Sequence, residues 1–437
     1  MTSMTTTAAA VIGGVDTHAD THYAAALDQV GRLLGTRQFA ADAAGYRQLL
    51  GWLESFGSVQ RVGVEGTGCY GAGLTRFLRG RDVTVVEVNR PDRRARRLRG
   101  KSDPLDAEIA ARRAMAAYDT AVPKDTATAV ESIRVLRLAR DGAVKARTAA
   151  LNQLKDLITT APDQLRSSLR GKTLRKVAAE AARFRPDMTR LANPVQVTKI
   201  ALRSVGARVV ALNGEVAALD RQLGALVGAT APRTMALFAV STQHAAQLLV
   251  TAGGNPHRLR SEAAFAALCA ANPIPASSGK TTRHRLNPAG DRDANATLHM
   301  IAVLRMRWDP ATRDYVTRRT EDGLSKREII RCLKRYIARQ AYHAVTADLA
   351  EPATCDDTPK LARVSSEPVE LIALDEPAQG LISARRNGEP TFTHVQGIAD
   401  AMMAALSRGV DRVIPKQLYP DLRESLPPEL PPWVKVR

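Results

Sequence analysis

Four carboxylates stand where short strand-like runs or a helix start would deliver them. Asp16 closes the apolar run in VIGGVDTH, Glu65 closes another in RVGVEGTGCYG, and Asp103 and Asp106 lie in GKSDPLDAEIA. In the last segment Asp103 reads as a helix cap and Pro104 as the opening of the helix. Residues three apart on a helix share a face, so Asp103 and Asp106 point to one place. Acids at the ends of neighbouring strands can converge there too. Clustered carboxylates repel one another unless a cation sits among them, and hard oxygen ligands with open water positions suit Mg²⁺ or Mn²⁺. Two such ions about 3.5–4 Å apart stabilise the attacking and leaving oxygens of a phosphodiester displacement. Taken singly, each acid is as readily a cap or a turn residue; the set of four is what points to metal-dependent phosphoryl chemistry. His18 and His22 offer a rival zinc pair at i,i+4, but a strand-to-turn context separates them. Cys69 lies near Glu65, yet no adjacent base lowers its pKa, so it makes a poor nucleophile.

Directly before the third acid come Arg90, Arg93, Arg94, Arg96, Arg97, Arg99 and Lys101, with Asp92 the only acid between them. Seven cations within twelve residues repel unless a polyanion neutralises them. Phosphate contact is therefore expected, which positions a duplex without reading its sequence. The whole chain agrees: 63 Lys and Arg against 44 Asp and Glu give +19 over 437 residues. That balance favours nucleic acid as partner. No apolar run approaches the roughly 20 residues that span a bilayer, and the Thr- and Ala-rich first ten residues lack the positive flank of a secretory signal. Cys69, Cys269, Cys332 and Cys355 keep no metal-ligand spacing. They are expected to be small buried hydrophobes in a reducing, cytoplasmic and nucleoid-associated setting.

The elements that must hold the acids are α/β in character. Val11–Val15, Tyr23–Leu27, Arg32–Phe39, Val62–Val64 and Val83–Val88 read as strands. Residues 41–56 read as a helix with Tyr46, Leu49, Leu50 and Leu53 on one face, and Gly73–Arg79 as another. Three strands, a helix, a strand, a helix and a strand is the order of a ribonuclease H-like fold, a mixed sheet flanked by helices. From Thr126 the pattern is helical. Ile133, Leu136, Val144, Leu151, Leu154 and Ile158 keep near-heptad spacing. After a basic, Pro-marked connection at about 162–194, Val205, Val209, Leu212, Val216, Leu219, Leu223 and Leu226 repeat at steps of four and three. Such a seam must be covered by a partner helix, either within the chain as an antiparallel hairpin or between copies as a coiled coil. A second helical region runs from Ala231 to Ala347 around a loop at Ala271–Asp293. The expected domains are 1–125, 126–230, 231–350 and a Pro-rich extension at 351–437, where only Gly397–Leu406 looks helical.

VDTH, VEGTG and SDxxD together resemble the DEDD insertion-sequence transposases of the IS110 group, which includes the Piv DNA invertases. Their N-terminal domain is similar to the RuvC junction resolvase. FAALCAANPIPASSGKTTRHRLNPAGDRDANATLHMIAVLRMR looks like that family's C-terminal transposase domain, in which a Ser-Gly pair precedes a basic stretch, a Gly-Asp or Gly-Asn and a long helix. The resemblance covers about residues 11–115 and 231–345. It implies Asp16, Glu65, Asp103 and Asp106 as ligands of Mg²⁺ or Mn²⁺, and Ser278 as a nucleophile that captures a strand as a 5′-phosphoserine. It further implies guidance by a structured non-coding RNA encoded in the element, and tetramers in which the acids of one subunit meet the serine of another. Beside that, the residues themselves offer Lys280, Arg283 and Arg285 to neutralise a phosphate, and Gly279 to admit close backbone approach. Ser277 competes with Ser278, and the Ser-Ser-Gly run by itself reads more readily as a flexible turn. A junction-resolving nuclease in which Ser278 is idle is the alternative enzyme. The chain departs from the family pattern at ALFAVSTQHAAQLLVTAG, where relatives carry a Gly-rich hairpin, and at Ala271-Asn272-Pro273, where they carry Gly-Leu-x-Pro.

Overall fold

The computed structural model describes residues 9–88, 102–117, 120–277, 279, 284–285 and 287–350, with short strand pairs beyond. Strands β1 (Ala10–Thr17), β2 (Thr21–Leu27) and β3 (Leu33–Ala40) form an antiparallel meander, as their apolar runs and intervening turns predict. Helix α1 (Ala43–Glu54) starts where the Asp42 side chain accepts from Gly45 N at 2.7 Å. It buries Leu49, Leu50 and Leu53, the face the 3.6-residue period picks out. β4 (Ser58–Glu65), α2 (Ala72–Arg79), β5 (Thr84–Val88), α3 (Asp103–Ala116) and β6 (Thr120–Ala121) complete the region. The sheet order is β3-β2-β1-β4-β5-β6, with β1, β4 and β5 parallel and the other pairings antiparallel. One face carries the apolar core of Val11, Val15, Val62, Val64, Leu49, Leu53, Leu74 and Leu78. The other face takes α3.

From Ala129 the architecture is helical. α4 (Ala129–Thr159) and α7 (Pro194–Thr230) pack against each other within the chain. They run antiparallel: Val130 and Ile133 share a core with Leu223 and Val227, while Ala150 and Leu154 share one with Leu202, Val205 and Val209. Arg140 Nε pairs with Asp220 Oδ1 at 2.5 Å midway along the hairpin. The seam is thus covered by the chain's own helix. The connection at 162–194 is more ordered than its prolines and charges suggest. It holds α5 (Asp163–Leu169) and α6 (Leu174–Ala181), whose Leu165, Leu169, Val177 and Ala178 cap the far end of the hairpin.

The remaining helices are α8 (Pro232–Met235), α9 (Thr242–Ala252), α10 (Glu262–Leu268), α11 (Arg292–Trp308), α12 (Pro310–Glu321) and α13 (Lys326–Ala350). They enclose a core around Phe265, Leu248, Leu249, Leu298, Ile301 and Ile337, which also takes in the near end of the α4–α7 hairpin. The departure segment ALFAVSTQHAAQLLVTAG contains α9, opened by a reciprocal Ser241–His244 cap. Within the expected loop, β7 (Ile274–Pro275) pairs antiparallel with β8 (His284–Arg285). Residues 360–437 form a separate unit. There β9 (Ile372–Ala373) pairs with β10 (Ile382–Ser383), and β11 (Arg412–Ile414) with β12 (Val434–Val436). The expected helix at Gly397–Leu406 lies outside the described residues. No helix among the described residues is long and apolar enough to cross a membrane.

Candidate active site

Side chains two apart on a strand share a face. Gly14 therefore lies on the side of Asp16, and Gly63 on the side of Glu65. A Cβ on Gly14 would stand 2.1 Å from Ala111 N and 2.3 Å from Ala107 O; one on Gly63 would stand 2.6 Å from Ala110 O. Helix α3 thus lies on bare backbone, presenting Ala107, Ala110, Ala111 and Ala114, all buried. That close approach fixes its direction: the first turn reaches the C-terminal ends of β1 and β4, where ligand sites of parallel strands form. The cap is Ser102 rather than Asp103; Asp103 is the first helical residue and Pro104 the second. Asp103 and Asp106 both stand in that first turn, where the partial positive charge of the helix end favours them.

Asp16 is 8% exposed, Asp106 2%, and Asp103 and Glu65 are half-buried. Burial, followed by repulsion from Asp106 and Asp103, pushes the Asp16 carboxyl above its ordinary range, and His18 opposes the shift. His18 Nε2 lies 3.2 Å from Asp16 Oδ2 and 3.5 Å from Asp103 Oδ1. Donor atoms of Asp16, His18 and Asp103 all fall within 4.8 Å of one another. One divalent cation with ligand bonds of about 2.0–2.6 Å spans such a set. Glu65 is on the adjacent strand, one register position beyond the Val15–Val64 pair, and its carbonyl accepts from Thr17 Oγ1 at 2.8 Å, tying the two strand ends. Asp16, Asp103 and Asp106 are therefore brought together, with Glu65 beside them on the same side of the sheet.

The histidine pair divides. His22 is fully buried, its Nδ1 donating to the Thr21 carbonyl at 3.0 Å and its ring stacked on Tyr46 at 5.6 Å. Burial holds its pKa down, so it stays neutral core. His18 instead joins the acids. The VDTH run contained that signal, since an imidazole two residues past a strand-end acid returns to the same face. Gly14 and Gly63, each two residues before a strand-end acid, were a second one. Cys69 is exposed, unlike the buried thiol expected, while Cys269 is buried and its thiol is pushed up to about 12. Cys332 is partly buried.

The serine segment is anchored at its base. Gly290 adopts φ +94°, and a Cβ there would meet the Ala267 and Leu268 carbonyls at 2.8 Å. Asp291 then caps α11, accepting from Asp293 N and Ala294 N at 2.9 and 3.1 Å. Its other oxygen accepts from Thr251 Oγ1 at 2.7 Å and Gln247 Nε2 at 3.2 Å. Asn295 Nδ2 donates to the Cys269 and Ala270 carbonyls, and Lys334 Nζ donates to Asn295 Oδ1 at 2.8 Å. Arg285 is exposed on β8. Ser278, Lys280 and Arg283 lie outside the described residues, as do Arg93, Arg94, Arg96, Arg97 and Lys101.

Two family models match the chain. A transposase model of the DEDD type from IS110 elements matches residues 13–161, and the model of the transposase IS116/IS110/IS902 family matches residues 232–317, together more than half of the chain. No curated protein matches it. The first match spans all four acids and the second spans the Ser-Gly segment with its Gly-Asp cap, so the chain belongs to the IS110 family of transposases, enzymes that cut and rejoin DNA.

Proposed function

We propose that this transposase cuts DNA at the C-terminal ends of β1 and β4, with Asp16, Glu65, Asp103 and Asp106 holding Mg²⁺ or Mn²⁺ and Ser278 capturing the strand. The observation that carries the reading is the convergence of Asp16, Asp103 and Asp106 with a carboxyl at Asp16 that resists ionising alone. Buried like charges of that kind are stable when a cation neutralises them. The order β3-β2-β1-β4-β5, antiparallel and then parallel, supports a ribonuclease H-like, RuvC-like domain over 1–125. Bound there, divalent cations would supply Lewis-acid stabilisation of phosphodiester oxygens.

The chain's own groups do the rest. The Ser278 hydroxyl attacks phosphorus, the bond from phosphorus to the 3′ oxygen breaks, and the serine proton is balanced by the hydroxyl formed on that oxygen. A 5′-phosphoserine results, which a strand hydroxyl reverses by the same exchange. Lys280, Arg283 and Arg285, with the basic run Arg93, Arg94, Arg96, Arg97 and Lys101, supply the positive charge that the phosphate backbone requires. A structured guide RNA and a dimer or tetramer uniting one subunit's acids with another's serine belong to the same reading.

The experiment is capture of a covalent protein–DNA adduct with Mg²⁺ present. Ser278→Ala should abolish the adduct and Ser277→Ala should leave it. An adduct surviving Ser278→Ala removes the serine assignment, and hydrolysed ends without any adduct select the junction-resolving nuclease instead.

A further inference from the structure

Between the β7–β8 hairpin and helices α12 and α13 lies a cavity of about 450 Å³, in the range of sites that enclose small ligands. Its wall carries Arg285, Arg319, Arg331, Lys334 and Arg335 against one acid, Glu328. That acid is turned to its own helix start, accepting from Ser325 N at 2.9 Å and Ser325 Oγ at 2.6 Å. Arg331 Nη1 donates to the His284 carbonyl at 2.9 Å and Lys334 Nζ to the Asn295 amide oxygen at 2.8 Å. Both acceptors are neutral, so among the described residues neither charge meets a carboxylate.

Lys334 is 5% exposed, and burial together with Arg331 holds its ammonium below the ordinary range. Arg319 and Arg335 each reach a carboxylate, Asp322 Oδ2 at 2.8 Å and Glu262 Oε1 at 3.4 Å, yet Arg319 Nε and Arg335 Nη1 stay buried with no acceptor among the described residues. Cations crowded in a cavity with unmet donors destabilise the fold until an anion enters. An aromatic ring completes the set. Tyr336 lines the cavity while 54% exposed, and the Tyr315 ring steadies it edge-on at 5.8 Å. Guanidinium forks suit a phosphate, and an open ring face suits a base.

We propose that this cavity binds one unpaired nucleotide of a DNA strand, its phosphate on Arg331 and Arg335 and its base stacked on Tyr336. A base still paired in a duplex presents only its edge, so the occupant is unstacked from its neighbours. The choice of DNA rests on the serine reading above: His284 and Arg285 in the wall follow Ser278 by six and seven residues. The nucleotide is then a neighbour of the captured phosphate.

The test is anisotropy of the full chain with fluorescein-labelled oligodeoxythymidine, alone and paired with oligodeoxyadenosine. Tyr336→Ala should weaken the single strand about tenfold or more, the scale of base–aromatic stacking. It should leave the duplex unchanged, and Tyr336→Phe should restore binding. Arg331→Gln should lower the slope of log K against log salt by about 0.7 for the single strand. Equal loss on both probes, or none on either, overturns the cavity assignment. Tighter, Tyr336-dependent binding of oligouridine overturns the choice of DNA. Ser278→Ala should keep the Tyr336 effect, so an adduct that survives Ser278→Ala sinks the serine reading without touching the cavity.

Discussion

At the acidic centre, α3 lies on the bare backbone of Gly14 and Gly63, whereas around the cationic cavity the elements are pinned by side-chain hydrogen bonds from Asp291 and Asn295. The first scaffold rests chiefly on van der Waals contact, with Arg61 and Arg112 reaching the carbonyls of Ala114 and Gly31 at 3.4 and 3.0 Å. The second joins α9, α11, α13 and the hairpin base through a buried polar network, which is sensitive to the loss of any one member. The two centres also gather opposite charge: carboxylates that suit a cation in one, guanidinium and ammonium groups that suit a phosphate in the other. An enzyme that binds a strand with one centre and cuts it with the other needs both signs held apart, because paired with each other they would neutralise both functions.

Breaking the acidic side should give the largest effect. Asp16→Ala should lower strand cleavage by about a thousandfold or more, given several kcal/mol of metal-borne charge stabilisation, with circular dichroism unchanged. A loss under about tenfold would remove Asp16 from the site. On the other side, Asp291→Ala deletes a helix cap and removes the carboxylate that Thr251 and Gln247 share beyond their bonds to each other. Urea unfolding should register about 3 kcal/mol, and Asp291→Asn should recover part of it.

Gly14→Ala sharpens the contrast, because the added methyl meets backbone and α3 must withdraw. About 2 kcal/mol of stability should be lost, and cleavage should fall further than the loss of folded protein explains. An unaffected cleavage rate would show that the position of α3 is not critical. The smallest effect concerns pH. The folded Asp16 carboxyl titrates above its unfolded value of 3.8. Its favourable share of stability is present below that value and is lost as pH rises through the folded pKa. Metal-free Asp16→Asn should accordingly melt higher than the parent at neutral pH, and added Mn²⁺ should raise the parent alone. An unchanged melting temperature in both conditions would mean that no cation is held there.

Secondary structure around the acids was legible because local chemistry writes it: the apolar runs of β1 and β4, the Leu49–Leu50–Leu53 face of α1, and Pro104 at a helix start. The hairpin seam was legible too, though not its partner. A heptad pattern specifies a buried stripe and is silent on whether the cover comes from the same chain; Val130 and Ile133 meeting Leu223 and Val227 settle that within this chain. The order in 162–194 escaped notice because its helices are short and their apolar residues few, leaving little period to detect.

The sequence by itself determined that four acids sit at strand ends and a helix start, and that the chain carries the charge to hold a polyanion, since both are matters of residue type and short-range spacing. Only the tertiary structure decided that His18 also reaches Asp103, from a distant segment, while His22 is packed under Tyr46. The same holds for five scattered cations lining one cavity. Those outcomes depend on which faces meet across distant segments, and contacts of that kind leave no period in the chain.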